Sequence, residues 1–344
     1  MKKNLFIGLF VMIAICNSAK AQYGYLRVAG GYSWNNFQKT GQVLTFQPGI
    51  SPDPAYSKII PLMNTNTSDS NNLYMKPVNN GYATGGTLSL FGGYMINPYF
   101  GIEMGLTYLW GSTFTADAKS DDNALLGKGA MLSTRTNSSG LSLMPGFYLR
   151  AARPSAKVAP YGRFALSLPV YGQTNHSLVI NANSPILGIT EAKIDVKTQS
   201  TISLGVNGGI GINYTPIPIL SVFGEMNAQY LFVRPQVSKL TKYDLTTNGV
   251  KTDALAGFTT YSLETEFVDQ LTKSSNTEVF GKVHSPGITP DPGVSYVDEN
   301  KPRQELRQSA NFCAIGFSVG VGLNLSKMIF KDPTGNKKKN STSE

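Results

Sequence analysis

Hydrophobic side chains in this chain recur with a period of two, most regularly near the carboxyl end. From Cys313 to Leu325, every second side chain is apolar and those between are small or polar. Successive side chains of a β-strand point to opposite faces, so this alternation predicts a strand with one apolar and one polar face. The polar face is mostly glycine and serine, which suits a narrow, crowded interior.

Seven further stretches alternate in the same way, which makes eight predicted strands. The eight cover residues 23–34, 83–96, 100–116, 135–152, 158–175, 197–214, 219–242 and 308–330. Long connections at 35–82, 117–134, 176–196 and 243–307 alternate with short turns at Asn97-Pro98-Tyr99, Arg153-Pro154-Ser155 and Thr215-Pro216-Ile217-Pro218. The pattern predicts an all-β fold, an eight-stranded antiparallel up-and-down barrel that crosses a membrane. Extension of the strands into the edges of 176–196 is an alternative for that connection. A further hairpin at 257–268 leaves ten strands as an alternative.

The distribution of polar residues indicates which face of the barrel meets lipid. Each apolar stripe runs roughly 9–11 residues, about the length with which a tilted strand crosses the hydrocarbon layer. A soluble lipocalin-like barrel is the alternative, and it would turn the apolar face inward. That would leave a water-exposed outer face of glycine and serine, so we favour lipid outside. Charged and amide residues share the glycine-serine face: Arg27, Glu103, Arg150, Arg163, Glu225, Asn227 and Gln229.

Aromatic residues cluster toward both ends of the apolar stripes, as in the girdles of membrane barrels. The cluster at the short-turn end contains Tyr94, Tyr99, Phe100, Phe147, Tyr148 and Tyr214, and that at the loop end contains Trp34, Tyr108, Trp110, Tyr171, Tyr230 and Phe232.

The amino-terminal residues 1–21 have the features of a secretory signal peptide. Lys2 and Lys3 precede an apolar core, and Ala19-Lys20-Ala21 is a small-x-small cleavage site before Gln22. We therefore expect cleavage between Ala21 and Gln22, export by the Sec route, one barrel domain over 22–330 and a basic polar tail over 331–344. A lipoprotein at Cys16 is the weaker alternative, because Ile15 is larger than the residue such processing prefers.

Composition narrows the classes of function and cofactor. The 344 residues are 15% charged, and removal of the leader leaves 27 basic and 21 acidic residues, a charge of +6. The sequence contains no basic patch interleaved with aromatic residues, which is the pattern that would indicate nucleic-acid binding. Cys313 is the single cysteine of the mature chain, so we expect neither a disulfide framework nor a cysteine metal site.

Five charged side chains on the inward face form the first candidate site: Arg27, Glu103, Arg150, Arg163 and Glu225. An eight-stranded barrel has room for side chains but hardly for a channel, and buried charges must be paired. We therefore predict an internal network that plugs the barrel, with Glu103 close to Arg150 on the neighbouring strand. An ion path or gate is the functional alternative.

A short repeat in two long connections forms the second candidate site. Pro48-Gly49-Ile50-Ser51-Pro52-Asp53-Pro54 recurs as Pro286-Gly287-Ile288-Thr289-Pro290-Asp291-Pro292. The first and last strands of a closed barrel are neighbours, so Pro52, Asp53, Pro54, Pro290, Asp291 and Pro292 could meet at one surface. We interpret them as a paired surface-loop motif for a partner or glycan; two convergent turn sequences are the alternative.

Evidence for catalysis in the sequence is weak. His176 and His284 are placed in long connections as surface residues, each followed by serine, and no nucleophile motif surrounds them. Asp121 and Asp122 lie in an SDDN segment that lacks the spaced ligands of a calcium loop. We predict no enzyme, no catalytic residue, no cofactor and no metal site.

The signal peptide, the eight stripes, the loop asymmetry and the ending Met328-Ile329-Phe330 resemble the small bacterial outer-membrane β-barrel proteins of the OmpA-transmembrane and OmpX type. The resemblance implies the outer membrane of a Gram-negative bacterium, with periplasmic termini and extracellular loops. Expected partners are outer-membrane lipid and lipopolysaccharide, periplasmic chaperones, the barrel-assembly machinery that reads a terminal aromatic, and an extracellular ligand at the loops. Fourteen residues after Phe330 depart from the family pattern. The expected function is non-enzymatic, structural or adhesive, with a narrow pore second and a lipid-modifying enzyme third.

Overall fold

Eight antiparallel strands close into a barrel in the computed structural model of the chain. They are β1 (Tyr23–Trp34), β2 (Gly85–Met95), β3 (Phe100–Gly111), β4 (Ala130–Arg150), β5 (Val158–Asn181), β6 (Gly205–Ile217), β7 (Leu220–Val233) and β8 (Ala314–Asn324). The structure describes residues 23–34, 42–43, 60–61, 63–69, 72–77, 82–120, 130–153, 156–181, 189–201, 203–284, 292–307 and 309–325. No helix within these ranges is long and apolar enough to cross a membrane.

Each barrel strand pairs with its neighbour in sequence, and the last strand pairs with the first. β1 lies between β2 and β8, with Val28 opposite both Leu90 and Val321. β7 pairs with β8 along its length, so no strand of the barrel keeps an open edge. The strand count predicted from the sequence is confirmed at eight, because residues 257–268 lie outside the barrel.

Apolar and polar faces point as the alternation predicts. Along β2, the lipid-facing Leu90 is 43% exposed, while the neighbouring Phe91 is 3% exposed and points into the barrel. The same contrast holds around the barrel, where exposed leucine, isoleucine and valine side chains form one continuous outer band. Such a surface is unfavourable in water and is satisfied by the hydrocarbon layer.

Short turns join the strands at one end, called here the turn end. Between β2 and β3, the side-chain Oδ1 of Asn97 accepts hydrogen bonds from the amides of Tyr99 and Phe100, at 2.9 and 2.8 Å. This local bonding explains why Asn-Pro begins the turn here. The turn between β6 and β7 is tighter than the predicted 215–218 segment, since β6 continues to Ile217 and β7 begins at Leu220.

At the opposite end, called the loop end, β4 and β5 continue far beyond the barrel. β5 has 24 residues and β4 has 21, against the roughly 9–11 that cross a membrane. The edges of the predicted loop at 176–196 extend the strands: β5 runs to Asn181 and then pairs with a returning strand, Ile189–Ser200.

The extensions of β4 and β5 belong to a larger sheet, which we call the loop-end sheet. Pro235–Thr247 pairs with Ile189–Ser200, so the predicted strand 219–242 is two strands, one in the barrel and one in this sheet. The predicted hairpin at 257–268 is wrong, because a helical turn precedes a single strand there. The other elements of the loop-end sheet and its connections are the strands Phe114–Ser120, Val250–Asp253, Glu264–Val268 and Arg303–Leu306, the helix Thr260–Leu263 and the 3-10 turns Leu255–Gly257 and Glu278–Phe280.

A small hydrophobic core of its own stabilises the loop-end sheet. Ile194, Val196 and Leu240 are buried together, and Leu255 and Leu263 pack against them. Arg307 also ties strands together, since its guanidinium donates to the carbonyl oxygens of Phe267 and Pro235 at 2.6 and 3.1 Å.

The rest of the loop end consists of short strands and hydrogen-bonded segments. Asn276 holds the segment before β8, donating to the carbonyl of Asp298 at 2.9 Å and accepting from its amide at 2.8 Å. The remaining short strands of the described residues are Gln42–Val43, Ile60–Pro61, Met63–Asp69, Asn72–Pro77 and Ala310–Asn311.

The outer band supplies the first testable prediction. Ile210 is 65% exposed near the middle of β6, so Ile210→Arg should place a charge within the hydrocarbon layer and lower the free energy of unfolding by about 2–4 kcal/mol. Equilibrium unfolding in lipid vesicles measures the change. Val250→Arg is the matched control, because Val250 is 66% exposed in the loop-end sheet. Equal effects of the two substitutions would contradict the placement of the membrane.

Candidate functional site

Four charged side chains meet inside the barrel and form a closed ring, called here the ionic plug. Arg27, Glu103, Arg163 and Glu225 come from β1, β3, β5 and β7, which are alternate strands around the barrel. All four are buried, with 2–7% of each residue exposed. Two positive and two negative charges balance, which is the condition under which buried charges are tolerated.

Each carboxylate of the plug contacts both arginines. Glu225 accepts from Arg163 Nη2 at 2.7 Å and Nε at 3.3 Å, and its Oε2 lies 3.6 Å from Arg27 Nη2. Glu103 lies 3.4 Å from Arg27 Nη1 and 3.5 Å from Arg163 Nη1. The four ion pairs therefore span the barrel in both directions and link strands that are not neighbours.

Tyrosine hydroxyls complete the hydrogen bonding of the plug. Arg27 Nη2 donates to the hydroxyl of Tyr161 at 2.8 Å, which in turn donates to Glu225 Oε2 at 3.0 Å. Tyr25 donates to Glu103 at 3.1 Å. Polar groups removed from water are stabilised by such partners, and charge-assisted hydrogen bonds are the stronger kind.

Aromatic rings pack against both arginines. The guanidinium carbon of Arg27 lies 3.9 Å from the centre of the Phe223 ring, and that of Arg163 lies 4.1 Å from the Phe91 ring. Cation–π attraction is strongest where water is excluded, as it is here. Tyr148 stacks on Tyr161 with ring centres 5.0 Å apart, so its predicted place in the outer girdle is wrong.

Glycines on the inner face make the space that the plug occupies. A Cβ at Gly209 would lie 2.7 Å from Glu225 Oε1, and one at Gly211 would lie 2.6 Å from Tyr161 Cζ. Both contacts are too close for a side chain. The glycine-rich face of β6 is thus required by the size of the residues opposite it.

Arg150 is the one predicted network residue that the structure places elsewhere. Glu103 is opposite Gly146 on β4, and Arg150 lies four residues further toward the turn end. The guanidinium of Arg150 donates instead to the carbonyl oxygen of Ala156 at 3.1 Å, within the turn between β4 and β5. The expected proximity of Glu103 and Arg150 is therefore wrong. The prediction used the fact that their strands are neighbours but not the register of the pairing, which separates the two residues.

On the loop-end side of the plug lies a small chamber lined by short polar side chains. Its volume is about 90 Å3, and Arg163 and Phe91 contribute to its floor. A space of this size has room for about six to nine water molecules, since one water needs roughly 10–15 Å3 on the same measure. The polar wall of the chamber includes Ser89, Thr107, Ser142, Asn207, Asn227 and Ser318.

Aromatic side chains pack together on the loop-end side of the chamber and form what we call the roof cluster: Tyr82, Phe114, His176 and Phe312, of which Phe312 lines the chamber. Tyr82 stacks on Phe312 with ring centres 5.2 Å apart and meets Phe114 edge-on at 5.9 Å. The predicted surface position of His176 is wrong, because it lies on the extended β5, is 7% exposed and contacts Thr136 Oγ1 at 3.0 Å.

On the other side of the plug, a wider vestibule opens at the turn end. Its volume is about 490 Å3, and Arg27 and Tyr148 belong to its inner wall. The interior thus has four layers from one end to the other: vestibule, ionic plug, chamber and roof cluster. Among the described residues, the plug fills the level between the two cavities.

Ionisable groups outside the barrel are held by local contacts. Lys251 donates to Asp244 at 2.9 Å and Lys242 lies 3.1 Å from the same carboxylate, so these lysines lower the pKa of Asp244. Burial raises the pKa of Tyr261, whose ring lies against the imidazole of His284 at 4.8 Å. The Nε2 atom of His284 lies 3.2 Å from Oε2 of Glu299. These contacts order the loop-end sheet.

Several predicted residues fall outside the part of the chain that the structure describes. They are the cleavage site Ala21 and Gln22, the first loop motif Pro52, Asp53 and Pro54, the residues Pro290 and Asp291 of its second copy, Asp121 and Asp122, and the tail 331–344. Pro292 is described and exposed. The leader, the tail and the meeting of the two loop motifs therefore stay predictions.

The closed strand order, the apolar outer band and the polar, plugged interior define a membrane-spanning β-barrel protein. The model of the outer membrane protein beta-barrel domain family matches residues 7–256, and the chain belongs to this family. The predicted family and the predicted fold are confirmed. No curated protein matches the chain.

Two solved outer-membrane proteins align with most of the chain at low similarity. The outer membrane protein OprG from Pseudomonas aeruginosa is 11% identical, with 89% of this chain and 97% of that chain covered and a TM-score of 0.30. Ail, the attachment invasion locus protein of Yersinia pestis, is 9% identical, with 88% and 99% covered and a TM-score of 0.25.

The ionic plug supplies the second testable prediction. Glu225→Gln leaves two arginines facing one carboxylate in a buried site, so we expect the free energy of unfolding to fall by about 3–5 kcal/mol. Adding Arg163→Gln restores neutrality, and the double variant should lose less than the sum of the two single losses. Urea unfolding in micelles measures the free energy of unfolding of the two single variants and the double variant. Glu191→Gln, an exposed position of the loop-end sheet, is the control. Additive losses would show that the plug is not one coupled unit.

Proposed function

We propose that the protein is a non-conducting outer-membrane anchor that presents the loop-end sheet as a contact surface outside the cell. The observation that carries this proposal is the extension of β4 and β5, which continue from the barrel into the sheet without a break. A barrel made only to cross the membrane needs strands of about half that length. The extra length would carry an ordered sheet beyond the membrane surface.

Contacts within the loop-end sheet favour a binding surface with a fixed shape. Its buried core and the hydrogen bonds of Arg307 and Asn276 restrict the backbone, and a preordered surface loses less entropy when it binds a partner. Charges of both signs stand on its outer side, among them Lys193, Asp195 and Lys197. Lipopolysaccharide, an extracellular protein or a glycan are the partner classes we propose.

A narrow pore is the second candidate, and the two cavities are the observation that favours it. The vestibule and the chamber are separated by one layer of side chains, so a rearrangement of the ionic plug would join them. The buried charge network speaks against this, because moving one member leaves the others unpaired. We therefore place the pore second.

We also propose that the protein is not an enzyme and reaches the outer membrane as a Sec-exported precursor. His176 lies against aromatic rings in the roof cluster, and His284 lies between the ring of Tyr261 and Glu299, so each histidine has a structural environment. The leader over residues 1–21 supports export, with delivery by periplasmic chaperones and insertion by the barrel-assembly machinery.

The anchor and pore proposals make opposite predictions for electrical conductance. We expect the mature chain in a planar lipid bilayer to show no steady channel openings, because the plug fills the barrel cross-section. The folded state is checked by the heat-dependent shift of migration in gels. Glu103→Gln is the informative variant, since it removes one carboxylate while keeping the volume of the side chain.

Reproducible openings of the wild-type chain would contradict the anchor proposal and favour the pore. A Glu103→Gln variant that stays folded and conducts strongly would identify the ionic plug as a gate. Silence of both folded proteins would support a plug that is structural.

A further inference from the structure

The line along which β4 pairs with β5, called here the β4–β5 seam, is interrupted within the outer band. After Ala165 pairs with Gly146, two residues of β5 have no partner on β4 before the pairing resumes at Leu168. The register then shifts by one residue between Pro169 and Tyr171. Every other pair of barrel strands keeps a continuous register through the outer band, since β6 and β7 shift only at their turn. The β4–β5 seam is therefore the weakest line of the barrel wall.

Two prolines explain the interruption. Pro145 lies in the unpaired part of β4, and Pro169 lies at the register shift of β5. Proline has no amide hydrogen to donate, so it removes ladder hydrogen bonds where lipid offers no replacement. Between the prolines, Ser167 is fully buried and its hydroxyl has no hydrogen-bond partner within the described structure. Local opening costs least where such bonds are missing.

The chamber reaches the barrel wall at this seam. Ser142 and Met144 of β4 line the chamber, as does Pro169 of β5. Tyr171 lines it too, although 45% of this residue is exposed. The hydroxyl of Tyr171 donates to Oε1 of Gln173 at 2.8 Å, and Gln173 also belongs to the chamber wall. Tyr171 therefore borders both the chamber and the outside of the barrel.

The outer band and the chamber together limit what can pass through the seam. A molecule that arrives through the outer band must first dissolve in hydrocarbon, which strongly disfavours charged solutes. Inside, Ser89, Thr107 and Asn227 offer hydroxyl and amide groups, while Phe91 and Leu109 offer apolar surface. The volume of about 90 Å3 restricts the size of the guest. These properties fit a small uncharged molecule with an apolar body and one hydroxyl or carbonyl group.

We propose that the β4–β5 seam is a side entrance through which a small uncharged amphipathic molecule passes between the membrane lipid and the chamber. The ionic plug stays closed in this route, so the molecule does not continue to the vestibule. This function goes beyond anchoring and presentation of the loop-end sheet. It is also independent of whether ions cross the barrel.

Thiol labelling inside the chamber tests the entrance. In a Cys313→Ala background, Asn227→Cys places a thiol on the chamber wall, on β7. The mature chain is reconstituted in phosphatidylcholine vesicles, and each labelling rate is divided by the rate in the unfolded chain. Uncharged N-ethylmaleimide should then label at least about tenfold faster than an anionic methanethiosulfonate, because only the uncharged reagent dissolves in hydrocarbon.

A disulfide across the seam distinguishes this route from entry at the loop end. Leu143→Cys with Leu168→Cys joins opposite residues of β4 and β5. This cross-link should slow labelling by N-ethylmaleimide by about tenfold or more, because it holds the two strands together. Reduction of the cross-link should restore the fast rate. Peptide mapping confirms the cross-link, and heat-dependent gel migration confirms that the barrel is folded.

Leu90→Cys with Leu106→Cys is the matched control, because it joins opposite leucines of β2 and β3 where the register is continuous. Leu106 is also opposite Leu143, so the two cross-links lie at the same level of the barrel. We expect the control to change the labelling rate by less than about twofold, since a fully paired seam is already closed. Equal slowing by both cross-links, or no slowing by the β4–β5 cross-link, would overturn the proposal. So would equal rates for the uncharged and the anionic reagent.

Discussion

Neutral pairing of charges inside a narrow barrel is the constraint on which the rest of this structure depends. Two arginines and two glutamates lie in one layer and come from alternate strands, so each ion pair crosses the barrel. A shift of any strand by one residue would turn its charge toward lipid and leave an unpaired charge inside. The plug therefore ties the register of four strands to the electrostatic balance of the interior.

The same layer determines what surrounds it. Tyr161 and Phe223 pack against Arg27, and glycines on the facing strands provide the necessary space. Closing the barrel at this level divides the remaining volume into a small polar chamber and a wider vestibule. The roof cluster lies on the loop-end side of the chamber, where Phe312 lines it. Transport would require this layer to open, whereas anchoring and presentation of the loop-end sheet would not.

Side-chain alternation was sufficient to predict the barrel, because each strand has a lipid face and an interior face throughout. It also placed Arg27, Glu103, Arg163 and Glu225 inside, since they share the face of glycine and serine. Their aromatic partners could have been predicted as well: Tyr25, Tyr161 and Phe223 each precede a plug residue by two positions and so share its face.

Contacts that depend on register or on long connections could not be predicted in this way. Arg150 has the parity of the plug but lies four residues away along β4 from the partner of Glu103. His176, Tyr82 and Phe312 come together because β5 continues past the barrel and other segments fold over its end. Alternation in a single strand does not reveal which distant segment will pair with its extension.

The central claim is that the ionic plug separates two cavities, and cysteine accessibility tests it most directly. In a Cys313→Ala background, Ser221→Cys places a thiol in the vestibule and Ser89→Cys places one in the chamber. A small charged thiol reagent should label Ser221→Cys rapidly and Ser89→Cys only very slowly in the folded barrel, while both should react alike after unfolding. Rapid labelling of both positions in the folded barrel would contradict a closed interior.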